Sequence, residues 1–363
     1  MRVLVVNAGS SSVKLRLLDA ADQLHGSADL PADAGGFDAD ALADALAPWP
    51  RPDIVAHRIV HGGTEFTGPV RLDDDVTAKL RELTVLAPLH QPKSLAALAA
   101  VQRVLPQVPG VACFDTAFHA TLSAAAATYA VPREWRERHG VRRYGFHGLS
   151  HGYAARRVGE LLPDARRVVT CHLGAGASLC AVRDGRSVDT TMGFTPLEGL
   201  VMATRSGTVD PGLVLWLEEH EQLAPHEVAT ALEERSGLAA LAGTPDMREI
   251  VSRAGAGDAD AQLGLDVYLH RLAGSVAAMA ASAGGLDVLV FTGGVGERSA
   301  YVRAGAADRL GWLGVRVDAR RNDTAGSEGV TDITEADAPV RMLVLEARED
   351  LQIAHQVRAL LAT

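Results

Sequence analysis

Lysine is almost missing from this chain of 363 residues: Lys14, Lys79 and Lys93 are the only ones, so nearly all of the 35 basic side chains are arginines. No glycine is followed by lysine, which excludes the P-loop, whose lysine must reach the terminal phosphates. Cysteine is scarce too. Cys113, Cys171 and Cys180 are odd in number and lack CxxC spacing, which argues against a disulfide framework or a zinc site and suits a reduced, intracellular compartment. Positive charge is outweighed, and a net charge of −10 argues against any broad surface for nucleic acid or anionic membrane. Long apolar runs are absent: Leu272 to Leu286 falls short of the ~20 residues of a membrane span and reads as a buried helix. The run Val3 to Val6 is too short for the core of a signal peptide. A cytoplasmic protein that meets neither membrane nor nucleic acid is expected.

At about 150 residues per domain, the length predicts two or three domains. Strand-like and helical runs alternate, which predicts an α/β protein. Strands are expected at 2–7, 13–18, 54–60, 111–115, 167–172, 178–183, 187–190, 288–292 and 341–346. Helices are expected at 73–85, 93–105, 150–161, 211–220, 225–235, 258–283, 299–309 and 349–361. Asp184-Gly185 between two alternating runs signals a two-residue hairpin. The stretch 20–50, rich in Ala, Asp, Pro and Gly, is expected to carry the least structure.

The sequence also echoes itself. Arg2-Val-Leu-Val-Val-Asn-Ala-Gly9 returns as Arg167-Val-Val-Thr-Cys-His-Leu-Gly174, with Arg2, Val3 and Gly9 matching Arg167, Val168 and Gly174 at one offset. Each copy reads as strand, small-residue turn and returning strand, which suggests two half-molecules facing one ligand. A third apolar strand, Val288 to Thr292, runs into Gly293-Gly-Val-Gly-Glu297. Glycine turns at strand ends let backbone N–H groups approach phosphate oxygens without a Cβ in the way. No GxGxxG follows the first strand, so the dinucleotide fingerprint fails. What remains is nucleotide phosphate held by hairpins, the layout of actin-like ATPases and sugar kinases.

The motifs themselves resemble those of the acetate kinase (acetokinase) family. Asn7-Ala-Gly-Ser-Ser-Ser-Val-Lys14, His57-Arg-Ile-Val-His-Gly-Gly63, Ala87-Pro-Leu-His90 and Phe114-Asp-Thr-Ala-Phe-His119 come first. Arg143-Tyr-Gly-Phe-His-Gly-Leu-Ser-His151, Cys171-His-Leu-Gly174, Asp189 to Gly199, Thr204-Arg-Ser-Gly207 and Phe291 to Glu297 follow in the family's order. The resemblance implies two duplicated actin-like (ribonuclease H-like) domains, each a mixed sheet flanked by helices, with ATP in the cleft between them. Residues 1–119 with 350–363 would form one, and 120–349 the other, which binds nucleotide and forms a homodimer. It implies reversible phosphoryl transfer from ATP to acetate, giving acetyl phosphate and ADP, with Mg²⁺ (or Mn²⁺) as cofactor.

Such a transfer needs positive charge around the moving group, a metal and in-line placement, and little covalent chemistry. The resemblance assigns the charge to Arg58 and Arg205, whose planar forks stay protonated and can hold two oxygens at once. An arginine in so arginine-rich a chain is by default a solvated surface charge. Arg58 departs from that by sitting in a strand before Gly62-Gly63, and Arg205 by sitting in the small-residue loop Ala203 to Gly207. By the same resemblance His147 hydrogen-bonds the phosphoryl group, Asp115 orients a metal water or an arginine, and Asn7 and Glu349 hold the metal. Ser10, Ser12, Lys14, His172, Leu173, Gly174, Ala175 and Gly176 fall on its phosphate side. Asp246, Met247, Arg248, Gly294, Val295, Gly296, Glu297 and Arg298 fall on its nucleotide side. Arg58, Val60, Leu89, Phe146 and Pro196 map to the acid pocket, with His90 in support.

This chain departs from the family pattern at Ala175, Ala203, Thr208 and Arg298, and in Glu346 to Asp350. These departures bear on nucleotide and phosphate-donor preference, while acetate against propionate turns on one methylene, worth about 1–3 kcal/mol. Two other classes deserve comparison. Gly148-Leu-Ser-His-Gly152 matches the GxSxG elbow of serine hydrolases, but charged residues precede it where a buried strand is required. A non-catalytic actin-like ATPase leaves Arg58, Arg205 and a small-acid pocket without a purpose.

Overall fold

The computed structural model describes residues 1–9, 12–31, 39–88, 90–326 and 329–362. Ser10 and Leu89, both expected near substrate, lie outside the described residues. The chain divides into two compact units, Met1–Ala120 with Phe146–Tyr153 and Arg348–Thr363, and Thr121–Gly145 with Ala154–Ala347.

The first unit is built on strands β1 (Val3–Ala8), β2 (Ser12–Leu18), β3 (Leu24–Pro31), β4 (Ile54–Ile59), β5 (Val70–Arg71) and β6 (Gly110–Phe114), in the order β3-β2-β1-β4-β6-β5. β1, β4 and β6 are parallel and the others join antiparallel. β1 is apolar at consecutive positions because both its faces are covered. Val3 and Val5 pack with Ile353, Ala354 and Val357 of helix Glu349–Ala362, while Leu4 and Val6 pack with Leu42, Ala97 and Val101 of two other helices.

The second unit repeats the plan. Its strands are β7 (Arg167–Leu173), β8 (Ala177–Arg183), β9 (Arg186–Thr190), β10 (Val288–Thr292), β11 (Val330–Asp332) and β12 (Arg341–Leu345), in the order β11-β12-β10-β7-β8-β9. Read from the other edge, that is the order of the first sheet, with β7, β10 and β12 parallel in place of β1, β4 and β6. The echo between Arg2 and Arg167 is therefore a duplication of whole sheets. Helix Ala259–Ala283 covers this sheet with Leu265, Leu269, Leu272 and Val276, begins on the cap of Asp258 and ends at Gly284, φ 79°. The β8–β9 turn has positive φ at both Asp184 (52°) and Gly185 (74°), the conformation its sequence predicts.

The stretch 20–50 corrects the sequence expectation, since it holds β3 and helix Ala39–Leu46. β3 is an edge strand exposed at alternate positions and poor in β-branched residues, so it carries little hydrophobic signal. Packing fixes it instead: the Trp49 indole lies where a Cβ on Gly26 would be, 2.2 Å from that position. The glycine run after β10 is also no open turn but the short helix Gly293–Arg298. Among the described residues no helix is long and apolar enough to cross a membrane.

Cys113, Cys171 and Cys180 are free, buried thiols, and burial pushes Cys180 up to about 12 and the other two higher still. The thiolate is the reactive form. A chromogenic disulfide reagent is expected to leave all three untouched in the native protein and to titrate three after unfolding. Rapid reaction of a native thiol would contradict this packing.

Candidate active site

On one face of the first sheet the apolar alternation stops at the same level in three strands. Val3 and Val5 are followed by Asn7, Ile54 and Ala56 by Arg58, and Val111 and Cys113 by Asp115. A strand's period of two places each polar residue above its own apolar pair. Because β1, β4 and β6 are parallel, all three polar groups stand at carboxyl ends, where open α/β sheets bind ligands.

There the Arg58 guanidinium is locked. Its Nε donates to both Asp115 carboxylate oxygens at 3.1 Å, and Nη2 donates to Oδ2 at 2.5 Å. Nη1 donates to the Ala8 carbonyl at 3.1 Å and lies 3.5 Å from Asn7 Oδ1. Asn7 Nδ2 in turn donates to Glu349 Oε2 at 2.7 Å, at the start of the helix beneath the sheet. Burial alone would weaken the Arg58 proton, but the charges of Asp115 and Glu349 hold it above the ordinary arginine value. Burial pushes the Asp115 carboxyl up while Arg58 pulls it down. With the guanidinium on both oxygens, the pair is ionic.

His147 is tied to the same place through the backbone. Gly148 N donates to the Asp115 carbonyl at 2.8 Å, and a Cβ on Gly148 would lie 2.1 Å from that oxygen. His147 itself takes a left-handed φ of 56°, an uncommon state for a non-glycine residue that recurs at functional sites. Phe146 is buried, its carbonyl 3.0 Å from His119 Nε2 and its ring edge-on to His61, and Val60 is buried on the same unit. Lys14 is exposed and pairs in register with Asn7, which puts it on the same face; Ser12 opens β2. His90 flanks the start of helix Gln91–Val104.

The second unit holds a cavity of about 640 Å³ lined by Gly174, Ala175, Ala203, Asp246, Met247, Arg248, Tyr268, Gly294, Val295, Arg298 and Tyr301, among others. Eight of the residues expected at the nucleotide thus line one space. His172, Leu173, Gly176, Gly296 and Glu297 are outside that lining. Glu297 turns inward, its Oε1 accepting from Gly293 N at 2.8 Å and from Ala347 N at 3.0 Å, and burial pushes its carboxyl up. Asp246 caps helix Met247–Gly255, and its ion pair with Arg248 lowers its carboxyl to about 2.

Arg205 lies in a loop that leaves no room for a Cβ. Gly207 (φ 70°) and Gly237 (φ 63°) approach the carbonyls of Leu200 and Met202 so closely that a Cβ would fall within 2.3 and 2.2 Å of them. Arg205 Nη1 donates to the Pro196 carbonyl at 3.3 Å, and burial lowers the guanidinium below its ordinary value. Ala203 N donates to the Ala175 carbonyl at 3.1 Å, so this loop and the β7–β8 turn form one piece. Ser150 sits buried within helix Gly148–Leu161 with no strand leading into it, unlike a nucleophile elbow.

Sequence reasoning passed over Tyr268 and Tyr301 in the cavity wall, and over Tyr129 and Glu198, which join Arg143 in a half-buried cluster. Tyr268 and Tyr301 sit in ordinary helical patterns, and Tyr129 has no motif around it. Glu198 belongs to a motif block, and its acidic side chain beside Pro and Gly is the one signal that could have marked it.

The doubled sheet, with an arginine–carboxylate cluster at one set of strand ends and a cavity at the other's glycine turn, defines the class as an α/β protein of the actin-like kinase fold. A putative N-acetylmannosamine kinase from Listeria monocytogenes shares that fold, at a TM-score of 0.51 and 13% identity over 99% of each chain. The acetokinase family model matches residues 51–355, and the chain belongs to that family. An acetate kinase of Deinococcus deserti is 43% identical over 100% of this chain and 98% of its own, and one of Thermosipho africanus is 40% identical over 99% and 98%. Among solved structures, Porphyromonas gingivalis acetate kinase matches at a TM-score of 0.90 and 34% identity over 99% of each chain. A propionate kinase from Francisella tularensis matches at 0.90 and 34% over 98% of each.

Removing one partner of a buried ion pair costs about 3–5 kcal/mol. Asp115→Ala is expected to destabilise the fold by that order, read as a lower urea midpoint, and a midpoint equal to wild type would contradict the pairing.

Proposed function

We propose that this protein is an acetate kinase, which transfers the γ-phosphoryl group of ATP reversibly to acetate, giving acetyl phosphate and ADP. The observation that carries the reading is the guanidinium of Arg58, fixed by Asp115 at the carboxyl ends of three parallel strands. Relatives named acetate kinase at 38–47% identity support it. Phosphoryl transfer leaves a protein little to do except position the reactants and neutralise charge. Arg58 takes the acid's carboxylate and, with Arg205, stabilises the equatorial oxygens of the moving group. His147 donates a hydrogen bond to that group. Val60, Phe146 and Pro196 present apolar surface to a short acyl chain, and Leu89 joins them.

Residues of the second unit take the nucleotide, in the cavity formed by Gly174, Ala175, Asp246 to Arg248, Gly294, Val295 and Arg298, with Gly296 and Glu297 beside it. Ser10, Ser12, Lys14 and His172 serve the phosphates. Asn7 and Glu349 offer an amide oxygen and a carboxylate, the hard donors that suit Mg²⁺, and their 2.7 Å hydrogen bond already joins them. Among the described residues no three acidic, histidine or cysteine side chains form a metal cage. None is needed, since Mg²⁺ is commonly held by one or two carboxylates together with waters and substrate phosphates. When bound, the metal neutralises phosphate charge. A homodimer in the cytoplasm is the form we propose for the active enzyme.

The test is an acyl-hydroxamate assay with MgATP and acids of two to four carbons. Acetate is expected to give the highest turnover and propionate a lower one, while a profile led by propionate would make the protein the propionate-specific member of its family. No acyl phosphate from any acid would overturn the assignment. Arg58→Ala and Arg205→Ala are each expected to lose ~10²–10³-fold in kcat, the usual cost of removing one charge-stabilising donor. Near-normal turnover in either variant would refute its role.

A further inference from the structure

In the second unit a single phenol closes the segment that carries Pro196. The Tyr129 hydroxyl donates to Glu198 Oε2 and accepts from Phe194 N at 3.0 Å, so one oxygen ties both ends of a five-residue turn. Arg143 anchors the same segment from outside. Its Nη2 donates to Glu198 Oε1 at 2.7 Å, its Nη1 donates to the carbonyls of Thr190, Thr191 and Met192 at 3.1–3.2 Å, and its guanidinium lies over the Tyr129 ring. Tyr144 N and Gly145 N both donate to the Gly193 carbonyl.

The bracket leaves no slack. A Cβ on Gly193 would sit 1.8 Å from Glu198 Oε2 and 1.9 Å from the Tyr129 hydroxyl, so any side chain there would push the phenol and the carboxylate out of their present places. Within this closed turn the Pro196 carbonyl is the group that receives the Arg205 guanidinium. Hydrogen bonds from Arg143 and Tyr129 thus hold Phe194 and Glu198, and the chain between those two carries Pro196, whose carbonyl receives Arg205.

We propose that Tyr129, with Glu198 and Arg143, is a positioning residue that sets the Pro196 turn and the direction of Arg205, and so governs affinity for the carboxylic acid substrate. The proposal rests on the carboxylate kinase reading. Tyr129 acts on the turn through Glu198 and Phe194. Its loss frees the turn and lets the Pro196 carbonyl and Arg205 drift, while the nucleotide cavity keeps its own contacts. The acid should then bind less well and turnover should fall with the drift of Arg205, while the nucleotide binds almost unchanged.

Tyr129→Phe keeps the ring and removes only the hydroxyl. It is expected to raise KM for acetate about tenfold, the order of one half-buried polar group left unsatisfied, with KM for ATP within about twofold of wild type. Glu198→Gln keeps an acceptor for the phenol but loses the charge facing Arg143, and should give a smaller shift of the same kind. It carries the test should Tyr129→Phe not fold. An unchanged KM for acetate in a folded variant would overturn the proposal. So would an equal rise in both KM values with a lowered melting temperature, the mark of a purely structural role. Wild type is measured alongside: absence of acyl phosphate there overturns the kinase reading itself, whereas an active wild type beside an unaffected variant overturns only the role of Tyr129.

Discussion

The ion pair between Arg58 and Asp115 is the constraint around which the first unit is arranged. A guanidinium and a carboxylate on adjacent parallel strands meet at the level where the apolar rows beneath them end. Burying two charges costs several kcal/mol each before their attraction offsets it, and an apolar pair of similar volume often serves stability equally well. Stability is therefore a poor reason for the pair to be there. A better one is that Asp115 fixes a permanent cation in a single orientation, and that Ala8, Asn7 and Glu349 hold its remaining side. Gly148 ties the backbone of His147 to the same carboxylate residue, so histidine and arginine share one support.

The duplication makes the specialisation visible. Aligned by strand register, the positions of Asn7, Arg58 and Asp115 correspond in the second sheet to His172, Thr292 and Ala347. The ion pair has no counterpart there. What the second copy has instead is space: its glycine turn at Gly174 and the helix opening at Gly293 border the cavity proposed for the nucleotide. One sheet plan has been kept twice while the chemistry at its strand ends has diverged, which is how a fold and a function separate.

Much of this was legible in the sequence because the informative signals are local. Apolar runs such as Val3 to Val6 and Val288 to Phe291 announce doubly covered strands, the Asp-Gly turn announces its hairpin, and two glycine-rich returns at one offset announce the repeat. Arg58 could be picked out because a charge within a buried strand needs a reason. The remainder was silent because its signals are tertiary. β3 is held by Trp49 on Gly26, Glu297 looks like a phosphate ligand yet turns inward to two backbone N–H groups, and the Tyr129 bracket joins residues some 60–70 positions apart. Ser10 and Leu89 lie outside the described residues, so their assignments rest on motif alone.

The central claim is that the buried pair exists to present charge and not to hold the fold. A double-mutant cycle separates the two, using Arg58→Met, Asp115→Leu and the combined variant, each measured for urea midpoint and for acyl phosphate formation. Each single variant should be clearly destabilised, because it leaves a buried charge alone. The combined variant should recover most of the lost stability and remain at least ~10²-fold below wild type in turnover. A combined variant as unstable as the sum of the singles, or one that regains turnover with its stability, would contradict the account.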